Sequence, residues 1–151
     1  MSIKDKTRST FWVMPTDLNP FGILFGGIMM SWMDKVAALC AMEHTERNCV
    51  TLFVDQMKFH APVNVQEVVE LEADVVDEGM TSVLVHVSAK KRKSTEDSTK
   101  GVLVAESIFK FVALDKNGKA TDRWKKKIHD PKLPLSQKYF RESEYTEVNQ
   151  G

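Results

Sequence analysis

The sequence predicts an α+β fold in which one long helix packs against a five-stranded antiparallel sheet. The first observation behind this prediction is a proline-free, largely apolar stretch over residues 25 to 45, which is rich in good helix formers. The second is a series of strand-like runs that follows this stretch with no helical pattern in between. A shorter run ahead of the helix completes the sheet.

The first strand-like run is FWVM at residues 11 to 14. Residues 15 to 20, PTDLNP, follow it directly and contain two prolines, which are poorly compatible with continued regular structure. We therefore expect a short strand that ends in a loop, and this loop leads into the helix.

The helix over residues 25 to 45 is apolar nearly all round. Its apolar positions form two stripes, one of Phe25, Ile28, Trp32, Val36 and Leu39 and the other of Met30, Met33, Ala37 and Cys40. Such a helix is expected to be buried rather than half exposed. Because a single protomer cannot easily cover so much apolar surface, we expect it to pair with a second copy.

Strand-like runs cover residues 49 to 59, 67 to 78, 82 to 92 and 102 to 114. They are rich in β-branched residues, and their side chains alternate between two faces. One face of the third run carries Val83, Val85 and Val87, and one face of the fourth carries Phe109, Phe111 and Ala113.

The remaining segments are polar. The charged stretch over residues 90 to 100 has no large apolar residue, so we interpret it as a surface loop between the last two strands. From residue 121 the chain becomes polar and basic, with a short helical pattern over residues 135 to 147. We assign residues 1–120 to one domain and residues 121–151 to a C-terminal extension.

Composition limits the function classes. The chain has 151 residues with 21 Lys plus Arg and 21 Asp plus Glu, so its net charge is zero. A protein whose main task is to bind nucleic acid needs a surplus of cations, so we expect no nucleic-acid partner. Two cysteines make no disulfide framework, and no segment resembles a secretory signal or approaches the ~18 apolar residues of a membrane span. These features predict a cytoplasmic protein.

Two features of the helix indicate a catalytic or binding site. Asp34 lies amid apolar neighbours, where a charge costs free energy unless something compensates; a narrow solvated edge of the helix is the alternative. Gly26 and Gly27 each cost up to about 1 kcal/mol in a helical first turn. Without a Cβ, however, the free N–H groups of the helix N-terminus can reach a ligand oxygen and form an oxyanion site. Relief of packing against the sheet is the alternative for these glycines.

Residues 19 to 37, NPFGILFGGIMMSWMDKVA, resemble the signature of the hotdog-fold acyl-CoA thioesterases, in the cytosolic acyl-CoA hydrolase branch. The resemblance continues in VDQMKFHAPV over residues 54 to 63, in GMTS over residues 79 to 82 and in IFKFVALD over residues 108 to 115. It covers roughly residues 10 to 120 and leaves out the C-terminal extension.

The resemblance implies a curved sheet wrapped around a central helix, in dimers whose two sheets join. It implies hydrolysis of fatty acyl-CoA to a free acid and CoA, where CoA is part of the substrate and no cofactor is needed. Independently of the resemblance, the four histidines show no metal-ligand spacing with one another or with the cysteines, so we expect no metal; they are His44, His60, His86 and His129. A homodimer is the expected minimal unit, and a hexamer of three dimers is a further expectation. In that family an Asn of the loop and an Asp of the helix form the catalytic pair, which fall here on Asn19 and Asp34.

Helix geometry favours a site shared between two protomers. Gly27 and Asp34 lie about 10 Å apart along one helix, whereas an attacking water must lie about 3 Å from the carbonyl that it strikes. We therefore expect Gly27 of one protomer to face Asp34 of the other. Asp34 would activate water or attack directly, Asn19 would orient the water or the carboxylate, and the Gly27 N–H would stabilise the oxyanion.

Binding of the CoA moiety is predicted for a second group of residues. Lys90 and Arg92, alternate members of a basic run, are candidates for the phosphates, with a solvated surface run as the alternative. Thr81 and Ser82 match the segment that lies on the nucleotide side in the family, although hydroxyls beside a turn are common without a ligand. Phe59 could border the pantetheine channel or simply pack in the core.

Two other functions stay open. A hydratase of acyl-thioesters is disfavoured. Families that resemble this one catalyse hydration with a His paired to an acidic residue near the helix, whereas here the helix lacks His until His44 at its far end. A non-catalytic sensor or binding protein for acyl-CoA is the alternative from a different class. Release of thiol from acyl-CoA distinguishes the hydrolase from both.

Overall fold

Five strands form one antiparallel sheet in residues 6–122, the part of the chain that this computed structural model describes. They are β1 (Lys6–Trp12), β2 (Asn48–Phe59), β3 (Glu67–Glu78), β4 (Ser82–Lys93) and β5 (Val102–Leu114). The strands lie in the order β1-β3-β4-β5-β2, so β1 and β2 form the two edges of the sheet. Every adjacent pair is antiparallel, as expected.

The long helix α1 (Gly26–Thr45) packs across one face of this sheet. It ends where Glu46 adopts a left-handed conformation, with φ of 56°, and donates its N–H to the carbonyl of Met42. The side chains that α1 buries are Met29, Met33, Val36, Ala37, Cys40, Ala41 and Thr45. These residues recur at intervals of three and four, so one stripe of the helix makes the core.

The expectation of a helix buried on every side is wrong for the single protomer. Phe25, Met30 and Leu39 remain 45%, 37% and 49% exposed. The physical reason is that one sheet can cover only one side of a cylinder, so the opposite stripe of α1 is left without a covering layer within residues 6–122.

The alternation of apolar residues in the strands is confirmed. The helix-facing core contains Val83, Val85 and Val87 of β4 and Phe109, Phe111 and Ala113 of β5. Leu84 and Ile108 form a separate small cluster on the opposite face of the sheet. At the edge, Phe11 of β1 stacks on Trp32 of α1 with ring centroids 4.7 Å apart, which ties the first strand to the helix.

Strand boundaries agree with the sequence prediction within one residue except at β1. β1 covers residues 6 to 12 rather than 11 to 14, because pairing with β3 from Lys6 to Trp12 holds a segment that is mostly polar. β4 continues to Lys93, so the connection to β5 is shorter than predicted. Apart from residues 121 and 122, the predicted C-terminal extension, with its helical segment, lies outside the described residues. No helix among residues 6–122 combines the length and hydrophobicity needed to span a membrane.

Candidate active site

Asn19 organises the loop ahead of α1. Its Oδ1 accepts hydrogen bonds from the backbone N–H groups of Phe21, at 2.9 Å, and Ile23, at 3.2 Å. Gly22 completes the turn with φ of 79°, a conformation that costs glycine little. The fold therefore uses the side-chain carbonyl of Asn19, while its Nδ2 group has no hydrogen-bond partner within the described residues.

The N-terminus of α1 presents open backbone donors. Phe25 precedes the helix without a side-chain cap, and its carbonyl accepts hydrogen bonds from the N–H groups of Ile28 and Met29, both at 3.1 Å. The N–H groups of Gly26 and Gly27 have no partner in residues 6–122. A Cβ added to Gly27 would meet no atom within 4 Å, and one added to Gly26 would meet the ring of Phe59 at 3.4 Å. Two amide donors at the positive end of a helix dipole are thus accessible to a ligand.

A cavity of about 410 Å³ opens beside these donors. Its polar side chains are Asn19 and His60, and the other lining side chains are apolar. The full lining consists of Asn19, Ile23, Leu24, Gly26, Met29, Phe59, His60, Ala61, Pro62, Val63 and Val104. An apolar pocket with a few convergent polar groups at one side is typical of a small-molecule site.

Asp34 lies elsewhere on the same helix. It is half-buried, and its Oδ1 accepts a hydrogen bond of 2.7 Å from Oγ1 of Thr51 on β2. Thr51 is paired with Phe111, a core residue, so its side chain is on the helix-facing side of the sheet. Asp34 does not line the cavity and is about 12 Å along the helix axis from Gly26. Within one protomer the carboxylate and the open amides are therefore separate.

The residues predicted for CoA binding are scattered over the protomer. Phe59 lines the cavity at the helix N-terminus. Arg92 makes a 2.6 Å ion pair with Glu70 and donates from Nη1 to the carbonyls of Lys93 and Glu96, so it holds the chain that follows β4. Lys90 lines a different cavity, of about 290 Å³.

Thr81 and Ser82 lie at the other end of the molecule, where β4 begins. Thr81 lines a third cavity, of about 530 Å³, together with Arg47, which follows the C-terminus of α1. The Thr81 hydroxyl is buried and has no hydrogen-bond partner in the described residues, whereas Ser82 is fully buried and has a partner. An unpaired buried hydroxyl costs free energy, so Thr81 is the stronger candidate of the two for a ligand contact.

Two polar residues of the candidate site were not predicted from the sequence. Thr51 could have been found only by knowing that β2 lies along α1. His60, which we considered only as a metal ligand, stands at the cavity directly after β2, with its Nε2 2.7 Å from Glu106 Oε2. That hydrogen bond is the main reason that the pKa of Glu106 is lowered, and His86 lies 3.5 Å from the second oxygen of the same carboxylate.

Comparison with known proteins gives a consistent set of matches. The family model of the thioesterase superfamily matches residues 21–98. The acyl-CoA thioester hydrolase YciA of Escherichia coli is 38% identical over 70% of this chain and 81% of its own length. Across curated relatives of this kind the chain spans from 66% to 81% of the relative's length.

Solved structures agree with this result. An acyl-CoA hydrolase from Staphylococcus aureus, in complex with butyryl-CoA, CoA and CoA disulfide, has a TM-score of 0.72 and 27% identity, covering 97% of this chain and 80% of that one. Alanine variants of that enzyme replace an asparagine, an aspartate fifteen residues later and a threonine seventeen residues after the aspartate. The hexameric thioesterase of Yersinia pestis has a TM-score of 0.68 and 33% identity, covering 77% of this chain and 91% of that one.

Proposed function

Because this chain belongs to the thioesterase superfamily and has the hotdog fold, we propose that it hydrolyses fatty acyl-CoA to a free fatty acid and CoA. Its relatives are acyl-CoA thioester hydrolases, and the chain is accordingly an enzyme that cleaves thioesters. The observation that carries the proposal is the pair of open amides at the start of α1, beside Asn19 and an apolar cavity.

In the proposed mechanism the thioester carbonyl oxygen lies at the N-terminus of α1. The N–H groups of Gly26 and Gly27 donate to the negative charge that develops on this oxygen when the carbonyl carbon is attacked. Because the fold uses Oδ1 of Asn19, the group that Asn19 offers is its Nδ2 donor. This donor orients the attacking water or adds a third hydrogen bond to the oxyanion.

Asp34 of the partner protomer is the proposed base. One of its oxygens accepts from Thr51, which holds the carboxylate in a fixed orientation and leaves the other oxygen to accept a proton from water. The water oxygen then bonds to the carbonyl carbon, the carbon–sulfur bond breaks, and the thiolate takes up the proton. A thiol of pKa about 8.5 leaves without much help from a general acid.

The positions of these residues along the chain support the assignment. Asn19, Asp34 and Thr51 are separated by fifteen and seventeen residues, the same intervals as the asparagine, aspartate and threonine replaced in the Staphylococcus aureus enzyme. The match includes Thr51, which the structure singles out independently through its contact with Asp34. Direct attack by Asp34 to form an anhydride is the alternative route through the same residues.

A homodimer is the proposed minimal unit. Met30, in the exposed stripe of α1, lies one turn before Asp34, which contacts Thr51 on the edge strand β2, and β2 carries the exposed side chains of Val50 and Val54. A second copy that covers this apolar surface extends the sheet past β2 and brings Asp34 towards the partner's helix N-terminus. The hexameric Yersinia pestis thioesterase supports further assembly of such dimers.

For the CoA moiety we propose Phe59 beside the thioester and Lys90, Thr81 and Ser82 towards the phosphates and nucleotide. Lys90 makes no ion pair within 4 Å in residues 6–122, and its charge helps to lower the pKa of Glu70, which lines the same cavity; a phosphate would compete with this carboxylate for Lys90. Arg92 would contribute to the CoA site indirectly, by holding in place the segment that follows β4. These residues surround different cavities of one protomer, so a CoA site that includes them requires contributions from neighbouring copies.

The deciding experiment is a thiol-release assay with short, medium and long acyl-CoAs on the parent protein and on Asp34→Asn. We expect release by the parent and a decrease of at least ~10²-fold in the variant, as for the loss of a positioned base. Asp74→Asn, the same change on the far side of the sheet, is the matched control and should keep parental activity. A variant Asp34→Asn as active as the parent would contradict the role of Asp34.

The alternatives give different outcomes in the same assay. A parent that binds CoA but releases no thiol from any acyl-CoA would favour the sensor. A parent that adds water to an unsaturated acyl chain without releasing thiol, detected by mass spectrometry, would favour the hydratase.

A further inference from the structure

The cavity at the start of α1 has an apolar interior and a polar rim. Leu24, Met29, Val63 and Val104 line it and are 8% exposed or less, so they form its inner wall. Asn19 and His60, its polar side chains, are both more exposed than these four.

This distribution favours a hydrocarbon chain as the occupant. The two arms of an acyl-CoA thioester diverge from the carbonyl, and the pantetheine arm carries two amide groups. Burying amides against an apolar wall without hydrogen-bond partners is costly, whereas burying methylene groups is favourable. The acyl arm therefore fits the interior and the pantetheine arm fits the rim and the exterior.

Met29 has a particular place in the wall. It follows Gly26 by three residues, so its side chain lies on the same side of α1 and about 4.5 Å further along the axis. It is 2% exposed and unbranched, and it both lines the cavity and belongs to the hydrophobic core.

We propose that this cavity is the acyl pocket and that Met29 forms its floor, limiting the enzyme to short and medium acyl chains. The inference rests on the proposed thioesterase function and adds the substrate class and the residue that sets it. A smaller side chain at position 29 deepens the pocket, and a larger one makes it shallower.

The test is the ratio of kcat/KM for a long to a short acyl-CoA. We expect Met29→Ala to raise this ratio at least about tenfold and Met29→Phe to lower it by a similar factor, since each methylene group gained or lost in an apolar pocket changes discrimination by about that much. Met33→Ala is the matched control. Met33 is also buried on α1 but does not line the cavity, so its ratio should stay parental.

Two further variants keep the result decisive if Met29→Ala unfolds. Val104→Ala enlarges the same pocket from β5 and should raise the ratio, whereas Leu84→Ala removes apolar volume on the opposite face of the sheet and should leave it unchanged. An active parent whose chain-length profile ignores Met29→Phe and Val104→Ala, or responds to Leu84→Ala instead, would overturn the inference alone. A parent inactive on every acyl-CoA would overturn the proposed function and this inference together.

Discussion

Thr51 donates a hydrogen bond of 2.7 Å to Asp34 and thereby links the edge strand β2 to the middle of α1. If this bond orients the catalytic carboxylate, Thr51→Val, which keeps the shape but removes the donor, should lower kcat about tenfold, the cost of one hydrogen bond to a charged group. KM should change little, because Thr51 does not line the cavity. Steady-state kinetics of thiol release measures both constants.

Thr51→Ser restores the hydroxyl and is the control. It should recover most of the parental kcat, whereas a purely structural role of the threonine methyl group, which Val keeps and Ser lacks, would make Ser more harmful than Val. Equal kcat for Val and parent would show that Asp34 needs no orientation by β2.

A shared site makes a specific prediction for mixed oligomers. Asn19→Asp keeps an acceptor for the N–H groups of Phe21 and Ile23 but removes the Nδ2 donor, and Asp34→Asn removes the base. Each variant alone should be nearly inactive. Co-expressed in equal amounts, they should regain activity in about a quarter of the sites, because each mixed dimer contains one site with both native residues.

The control is the same two variants purified separately and assayed together before subunits exchange, which should remain inactive. If Asn19 and Asp34 acted within one protomer, every site in the co-expressed mixture would carry one defect. Activity no higher than that of the single variants would therefore contradict the shared site.

Local patterns in the sequence were sufficient to predict much of the fold. Val83, Val85 and Val87 alternate strictly, so the helix-facing side of β4 could be predicted, and the helix over residues 25 to 45 is confirmed within one residue. β1 was placed wrongly because its polar residues 6 to 10 are held by backbone pairing with β3, which leaves no hydrophobic period.

The site was predictable only where it is local. Asn19, Gly26, Gly27 and Asp34 lie within one short segment, so the motif and the physics of a helix N-terminus indicated them together. Thr51 reaches Asp34, and His60 and Val104 reach the cavity, only through strand pairing and helix packing, and their own neighbours in the sequence do not indicate these contacts.

The pH dependence of stability should reveal the pairing of β1 with β3. Hydrogen bonding from Lys6 and the nearby charge of Arg8 lower the pKa of Glu72 below its ordinary 4.5. A lowered pKa stabilises the fold above 4.5, and the contribution is lost as the pH falls through the lowered value. Glu72→Gln should therefore reduce the free energy of unfolding at neutral pH, by no more than about 1 kcal/mol because the carboxylate is one-third exposed.

Denaturant unfolding of parent and Glu72→Gln over a pH series measures this difference. It should be constant above pH 4.5, shrink in more acidic solution and be smaller in high salt. A difference that grows as the pH falls would contradict the assignment.

Gly27→Ala separates the structural and chemical reasons for a glycine at the start of α1. No atom lies within 4 Å of the added Cβ, and alanine favours the helix, so the free energy of unfolding should rise by up to about 1 kcal/mol. The methyl group nevertheless stands beside the amides that receive the thioester, so kcat/KM should fall at least about tenfold through obstruction of a donor.

Ser31→Ala, an exposed position on the same helix, provides the stability gain without the obstruction and should keep parental kcat/KM. A Gly27→Ala enzyme that is more stable and fully active would mean that the oxyanion is bound without Gly27.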